Sequence, residues 1–492
     1  MLAWAGIALF AAIAALAVRE LASGLVRAAG RLDHPAVLPG LSLALVTVGA
    51  GLAILAAAAW LADRGRDGER IALIVGISLL VGVRLAVAAV QDGVPGGEMQ
   101  FYHELAVGVR QGACCFSDRP MGYPILLAGA YGLLGPGVVA TETLNTVLAA
   151  MAGIALFVLV RGAYGPRAAS LALVMYAIWP ASVLMTVVRL PETAYDGLVV
   201  LGALTAIQAR PGWRGSALTG AILGIAQYFR PSTPLLLLAY LLARIWPMAA
   251  LRRALALGAL PLVATFMLVL APVIDHNLRE HGEASISTSA WGGWSLYVGT
   301  NAASGGEWTR ADVRRIQALG AVDPWSRSRI AGPLGVRRIL DDPPRFGRLA
   351  LRKFNTLWAT EEYGVQYGMD RRLPELPEAT FPALVSQIFY VGVVVAATLA
   401  LYRSRKRLDQ LAVLAIGTAF IVTAMHTFLE VRDRYHSYVV PLVIALAAGG
   451  LSGHAALTDG RPAPAEPAAS TREPGVDQAG PSISSTLAIL RT

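Results

Sequence analysis

The 492-residue chain is short of charge: 15% of its residues are Asp, Glu, Lys or Arg, against roughly a quarter in soluble domains. That shortage excludes an ordinary soluble enzyme. There are two cysteines, Cys114 and Cys115, adjacent in sequence, which provide neither a disulfide framework nor the spacing of a metal site, and they are read as small apolar residues. Strand-like alternation is missing as well. The apolar segments are unbroken Ala/Leu/Val blocks, so a transmembrane barrel is excluded and the fold class is all-α. No internal repeat stands out, which argues against the inverted-repeat architecture of many transporters. The start lacks a basic region and a cleavage site of the kind a leader carries, so the first helix is expected to stay.

Hydrophobic residues make up 55% of the chain, in runs near the twenty residues that cross about 30 Å of hydrocarbon. The expectation is a polytopic membrane protein of about twelve transmembrane helices, at 1–18, 38–62, 71–90, 138–160, 168–188, 192–209, 215–230, 232–246, 254–274, 385–402, 409–428 and 437–452. The net charge of +9 resides almost entirely in arginines of short loops. That is a topology signal rather than a nucleic-acid patch, and no nucleic-acid partner is expected. Five basic loops fall on the cytoplasmic side if the block from Tyr123 to Leu134, about 12 residues and closed by Gly135-Pro136-Gly137, does not cross but lies re-entrant or interfacial.

The organisation that follows has two extra N-terminal helices (1–70), a seven-crossing core (71–274) with a first outer loop at 91–137, an outer cap (275–384), three C-terminal helices (385–452) and a disordered cytoplasmic tail (453–492). The cap, a mixed outer subdomain, carries five tryptophans and two helix-like pieces, one from Trp308 through Leu319 and one opened by Asp342-Pro343-Pro344.

On the outer side the sequence collects polar residues that need a reason to be there. Glu98 begins an amphipathic stretch with Tyr102 and His103, and Arg119 to Pro124 forms a rigid turn that delivers Arg119 and Tyr123. Glu192 opens a helix beside Arg189, where it either pairs locally or serves a site. Arg230-Pro231 ends another helix. Glu430-Val431-Arg432-Asp433-Arg434-Tyr435-His436 packs two arginines, two carboxylates and aromatic groups into one junction, as phosphate and sugar hydroxyls require, although an aromatic-belt anchor would also read this way. His276-Asn277 and the Trp291-Gly292-Gly293-Trp294 turn are weaker candidates, while Arg84 within a crossing is expected to snorkel. Anionic membrane-lipid headgroups would explain arginines on this side.

Taken in order over residues 71–452, these pieces resemble the C-type, lipid-linked-sugar glycosyltransferases, in particular the family 39 group that includes protein O-mannosyltransferases and the aminoarabinose transferase of lipid A. The residues carrying the resemblance are Glu98, Tyr102, Ala106 and Gly112; the Arg119–Pro124 turn; Glu192; Arg230-Pro231; Asn277 with Gly292-Gly293; and Glu430 to Tyr435. Two positions depart from the pattern: Glu98 stands for the usual Asp, and His276-Asn277 for Arg-Asn.

The resemblance implies a plasma (inner) membrane enzyme with an extracytoplasmic site. It would move a sugar from a polyprenyl-phosphate carrier to a glycan, lipid or protein hydroxyl, usually with inversion. It makes Glu98 the catalytic base, assigns the donor phosphate to Arg119, Arg230, Arg432 and Arg434, and assigns sugar or acceptor to Tyr102, Tyr123, Glu192, Asn277 and Tyr435. No cofactor is required; a divalent metal, if used, would fall to Glu98 and Glu192. The rival reading is a lipid or lipid-linked-sugar transporter or flippase, which would bind headgroups without chemistry. A polysaccharide polymerase or ligase would share the donor.

Overall fold

The computed structural model describes residues 1–91, 97–113, 115–210, 212–246, 248, 250–369 and 380–453, and within them every regular element is helical. The chain begins with α1 (Leu2–Ala29), α2 (Val37–Ala62) and α3 (Gly65–Val90), and two 13-residue helices follow, α4 (Glu98–Arg110) and α5 (Gly122–Leu134). The core continues with α6 (Val138–Tyr164), α7 (Pro166–Ile178), α8 (Pro180–Leu184), α9 (Glu192–Gln208), α10 (Trp213–Gln227) and α11 (Thr233–Ile245). Next, α12 (Leu251–Arg253) runs through a π turn into α13 (Leu260–His281). The region above holds α14 (Gly292–Gly299), α15 (Arg310–Gln317), α16 (Pro324–Asp341), α17 (Pro343–Trp358) and α18 (Tyr363–Gly368). The chain returns through α19 (Thr380–Arg403), α20 (Gln410–Phe428), a 3-10 helix over 433–439 and α21 (Val440–Leu451).

Among the described residues, seven helices are long and apolar enough to cross a membrane: α1, α2, α3, α6, the α12–α13 rod, α19 and α20. The bent pair α7–α8 makes up to eight. The other crossings expected from hydropathy coincide with α9, α10, α11 and α21, which have 17, 15, 13 and 12 residues. The protein is thus an all-α polytopic membrane protein. The cap, expected to be mixed, is built from helices in its described part. The tail beyond 453 lies outside the described residues, as does Cys114, whereas Cys115 is disulfide-bonded rather than a small apolar residue.

Local chemistry accounts for several boundaries. Asp342 caps α17 by accepting from the Arg345 N–H at 3.0 Å, with prolines filling the first helical positions, where no N–H partner exists. Asp323 and Ser326 form a reciprocal capping box on α16, a helix that the sequence reading did not anticipate. α7 and α8 bend by 50° at Trp179-Pro180, where proline offers no N–H to continue the ladder. Arg84 is fully buried at that break instead of snorkelling: it donates to the Ala177 carbonyl at 3.3 Å and to Ser182 Oγ at 2.9 Å. The break leaves carbonyls that a long guanidinium reaches more readily than the interface.

Candidate active site

Four segments far apart in sequence end at one place. Glu98 is the first residue of α4, Glu192 the first of α9, Arg230 follows α10, and Arg434 lies in the 3-10 turn after α20. Each is delivered by a helix terminus that tertiary contacts fix. The Arg119–Pro124 turn docks through the Gly122 N–H, which donates to the Tyr228 carbonyl at 2.7 Å. A Cβ at Gly122 would lie 2.7 Å from the Phe229 ring and 2.8 Å from the Tyr228 oxygen, so only glycine lets the two segments approach. Buried Asn145 donates to the Thr186 and Val188 carbonyls, both at 2.9 Å, and holds the link that leads into Glu192.

The charged side chains form a continuous lattice. Arg434 Nη2 donates to Glu98 Oε2 at 2.7 Å, and its Nε lies 3.5 Å from Glu192 Oε1. The same Glu192 oxygen accepts from Arg230 Nη2 at 2.5 Å. Arg119 Nη1 donates to Glu98 Oε1 at 3.2 Å. Aromatic faces back these cations: Arg434 lies 4.7 Å from the Tyr367 ring centroid and 5.6 Å from that of Tyr435, Arg230 is 5.2 Å from Tyr435, and Arg119 is 4.3 Å from Trp291. Arg432 stands at the rim and pairs with Glu307 at 2.8 Å.

The lattice is rich in donors. Among the described residues, Arg434 Nη1 and the Nε atoms of Arg119 and Arg230 are buried without a hydrogen-bond partner, as is Glu192 Oε2. A buried N–H left unpaired costs about 1–3 kcal/mol, so a further anionic oxygen brought here would be bound favourably. Arg189 donates to Thr141 rather than to Glu192, so the local pair weighed in the sequence does not form.

Burial alone would push the Glu98 carboxyl up, but the Arg434 and Arg119 guanidiniums, the Arg434 hydrogen bond and the more distant Arg230 outweigh it and bring it down to about 2. A carboxylate with both oxygens on guanidiniums is a weak proton acceptor. This geometry argues against the role of base expected for Glu98 and suits a fixed anion that orders two arginines. Among the described residues no three His, Cys, Asp or Glu side chains gather as a metal site would need. Glu98 and Glu192, the expected metal pair, share Arg434, which already supplies a cation between them. The residues present do not fit a bridging divalent ion.

The remaining expected residues separate. Tyr102 packs edge-to-face on Tyr123 at 5.9 Å and shares the electrostatic environment of Glu98, Arg119, Glu192 and Arg230. Tyr123 is fully buried, its hydroxyl donating to Asn145 Oδ1 at 3.2 Å, and so serves packing. Asn277 does not join the lattice: its amide donates to the Ser285 and Ser287 carbonyls, both at 2.9 Å, and ties down the loop that enters the cap. It borders a shallow cavity that runs to Arg119 past Phe116, Tyr228 and His276. Tyr435 stacks on His426 at 4.9 Å with Arg230 and Arg434 over its ring.

Sequence reasoning gave no role to a buried acid–imidazole pair beneath the site, in which Glu361 Oε1 accepts from Trp179 Nε1 at 2.7 Å and Glu361 Oε2 lies 2.5 Å from His436 Nε2. Nothing in the local pattern around Glu361 marks it. Glu307, the partner of Arg432, was equally invisible.

No family model matches the sequence, and no curated protein matches it. Solved structures similar to the chain include an oligosaccharyltransferase from Archaeoglobus fulgidus, at 16% identity and TM-score 0.46 over 76% of this chain and 48% of that one. The archaeal oligosaccharyltransferase AglB, also from Archaeoglobus fulgidus, in complex with an inhibitory peptide and a dolichol-phosphate gives 14% and 0.48 over 78% and 50%. ArnT from Cupriavidus metallidurans bound to undecaprenyl phosphate gives 13% and 0.37 over 78% and 77%. The chain spans about half the length of the archaeal structures. Likeness of this degree assigns no function.

Proposed function

We propose that the protein is an integral-membrane glycosyltransferase that moves a sugar from a polyprenyl-phosphate donor to an acceptor hydroxyl at the extracytoplasmic end of the bundle, with inversion. The observation that carries this reading is the arginine lattice with its unpartnered buried donors on Arg119, Arg230 and Arg434. Departure of a lipid phosphate places negative charge on its oxygens, and preorganised guanidiniums lower the barrier by meeting that charge as it develops. Arg434 and Arg230 are the central pair, Arg119 closes one side, and Arg432 guards the rim.

Glu98 and Glu192 hold the guanidiniums in place before the donor arrives. Glu98, still anionic, also offers a counter-charge to the positive character that grows on the anomeric carbon. Tyr102 and Tyr435 supply ring faces and hydroxyls for sugar or acceptor. Donor sugar, in this reading hexosyl or pentosyl, is chosen by the same rim, and the acceptor is a glycan, lipid or protein. Membrane lipids surround the helices.

The test is to supply purified protein with a panel of polyprenyl-phosphate sugars and measure release of free lipid phosphate. Release from one donor supports transfer. Movement of intact donor across reconstituted vesicles without release would support the flippase instead.

A further inference from the structure

We propose that Glu430 takes the proton of the acceptor hydroxyl, while Glu98 remains an anion throughout; the inference rests on the glycosyl-transfer reading of the same site. Glu430 belongs to the junction the sequence singled out, yet neither phosphate nor sugar binding uses it.

Its backbone is clamped from three sides. The Glu430 N–H donates to the Ser295 carbonyl at 2.9 Å and its carbonyl accepts from His426 Nδ1 at 2.7 Å. The next residue, Val431, donates to the Gly306 carbonyl at 3.1 Å. Buried Lys353 on α17 binds the Thr427 and Leu429 carbonyls at 2.8 and 2.7 Å, together with Gly299 of α14 at 2.8 Å. A Cβ on Gly299 would fall 2.3 Å from the Leu429 carbonyl carbon, so α14 and this strand of chain touch backbone to backbone.

A backbone fixed so firmly presents a half-buried carboxyl that makes no hydrogen bond or ion pair among the described residues. That separates it from Glu98, Glu192 and Glu307, each of which is bound to an arginine. The charges that act on it come from Arg432 and Arg434 of its own segment, Glu98 of α4, Arg119 of the turn, Lys353 of α17 and the Tyr435 phenol. Burial raises its carboxyl to about 7 and Glu98 adds to the rise, against the opposing pull of Arg432, Arg434 and Arg119. Two carboxylates in one site with environments that drive them apart are the arrangement by which an anion and a proton acceptor are told apart. A base works best with its pKa near the working pH.

In the step, the acceptor oxygen bonds to the anomeric carbon as its proton passes to a Glu430 oxygen. The bond from that carbon to the phosphate oxygen breaks, and its electron pair leaves with the lipid phosphate, held by the arginines. Glu430 then returns the proton to water.

The test compares the full-length wild type with Glu430→Gln and Glu98→Gln, using the donor that wild type discharges, glycerol as hydroxyl acceptor and sodium azide as a nucleophile that carries no proton. Glu430→Gln should elute as wild type does, bind undecaprenyl phosphate normally and transfer to glycerol roughly 10²–10⁴-fold more slowly. Azide should restore its donor discharge, and the rise of wild-type kcat/KM through pH 7 should vanish. Azide should leave Glu98→Gln slow. Wild-type rate in Glu430→Gln, or a slow Glu430→Gln that azide does not restore, would overturn the assignment alone. A wild type inert to every donor with both nucleophiles overturns the transfer reading and this inference together.

Discussion

Arg434→Lys is the most exacting test of the lattice, because among the described residues Arg434 is the one side chain bound to both central carboxylates. Its Nη2 holds Glu98 at 2.7 Å and its Nε faces Glu192 at 3.5 Å, while the ring of Tyr367 lies 4.7 Å away. A lysine keeps the charge but carries a single compact ammonium in place of a planar fork, so it reaches one carboxylate and leaves the other to Arg119 or Arg230 alone. Arg434 is 6% exposed, so the lost contact is barely screened. One charge-assisted bond corresponds to about 1.5–3 kcal/mol of stability. The same substitution removes the unpartnered Nη1 donor intended for phosphate. Loss of one preorganised donor to a developing oxyanion costs about 2.7–4 kcal/mol, or 10²–10³ in rate. Release of free lipid phosphate should therefore fall by roughly that factor with a smaller rise in KM. Arg434→Lys that folds and transfers at the wild-type rate would refute the lattice as the phosphate site.

Glu98→Gln should insert and elute normally and yet lose most transfer, since an amide cannot hold two guanidiniums; full activity with labelled lipid-linked sugar would remove Glu98 from the centre. Its carboxyl falls from 4.5 to about 2 on folding, so its contribution is complete above pH 4.5 and disappears as pH drops toward 2. At 1.36 kcal/mol per unit that is at most about 3 kcal/mol, less for the quarter of the side chain left exposed. Thermal unfolding from pH 5 to 2.5 should steepen in wild type relative to Glu98→Gln. Glu430 acts in the opposite sense: raised from 4.5 to about 7, it costs stability as pH climbs through that window, so Glu430→Gln should unfold at a higher temperature than wild type at pH 8. Lys353→Met leaves three carbonyls without their donor and should lower stability by about 3–5 kcal/mol in detergent unfolding. Surviving protein should transfer more slowly through displacement of Glu430.

The apolar runs and the arginine placement made the membrane class and most helices readable, because crossing hydrocarbon imposes length and composition on each segment by itself. Less legible was how the α7–α8 break is satisfied: Pro180 interrupts the ladder inside a continuous apolar block, and the guanidinium that meets the Ala177 carbonyl and Ser182 there arrives from α3. Candidate site residues were partly legible for a related reason. Arginines and carboxylates at helix ends are costly near a membrane and so stand out one at a time.

The sequence by itself placed Glu192 and Arg230 at the ends of apolar runs, and Glu98 and Arg434 in the polar segments between such runs. Only the tertiary structure decided that Glu192 takes Arg230 and Arg434 rather than neighbouring Arg189, that Arg432 turns to Glu307, and that Asn277 serves a loop. It also decided which carboxyl is left free. Proton affinity depends on the charges within a few ångströms, and those come from segments up to 336 residues apart, a distance no local pattern records.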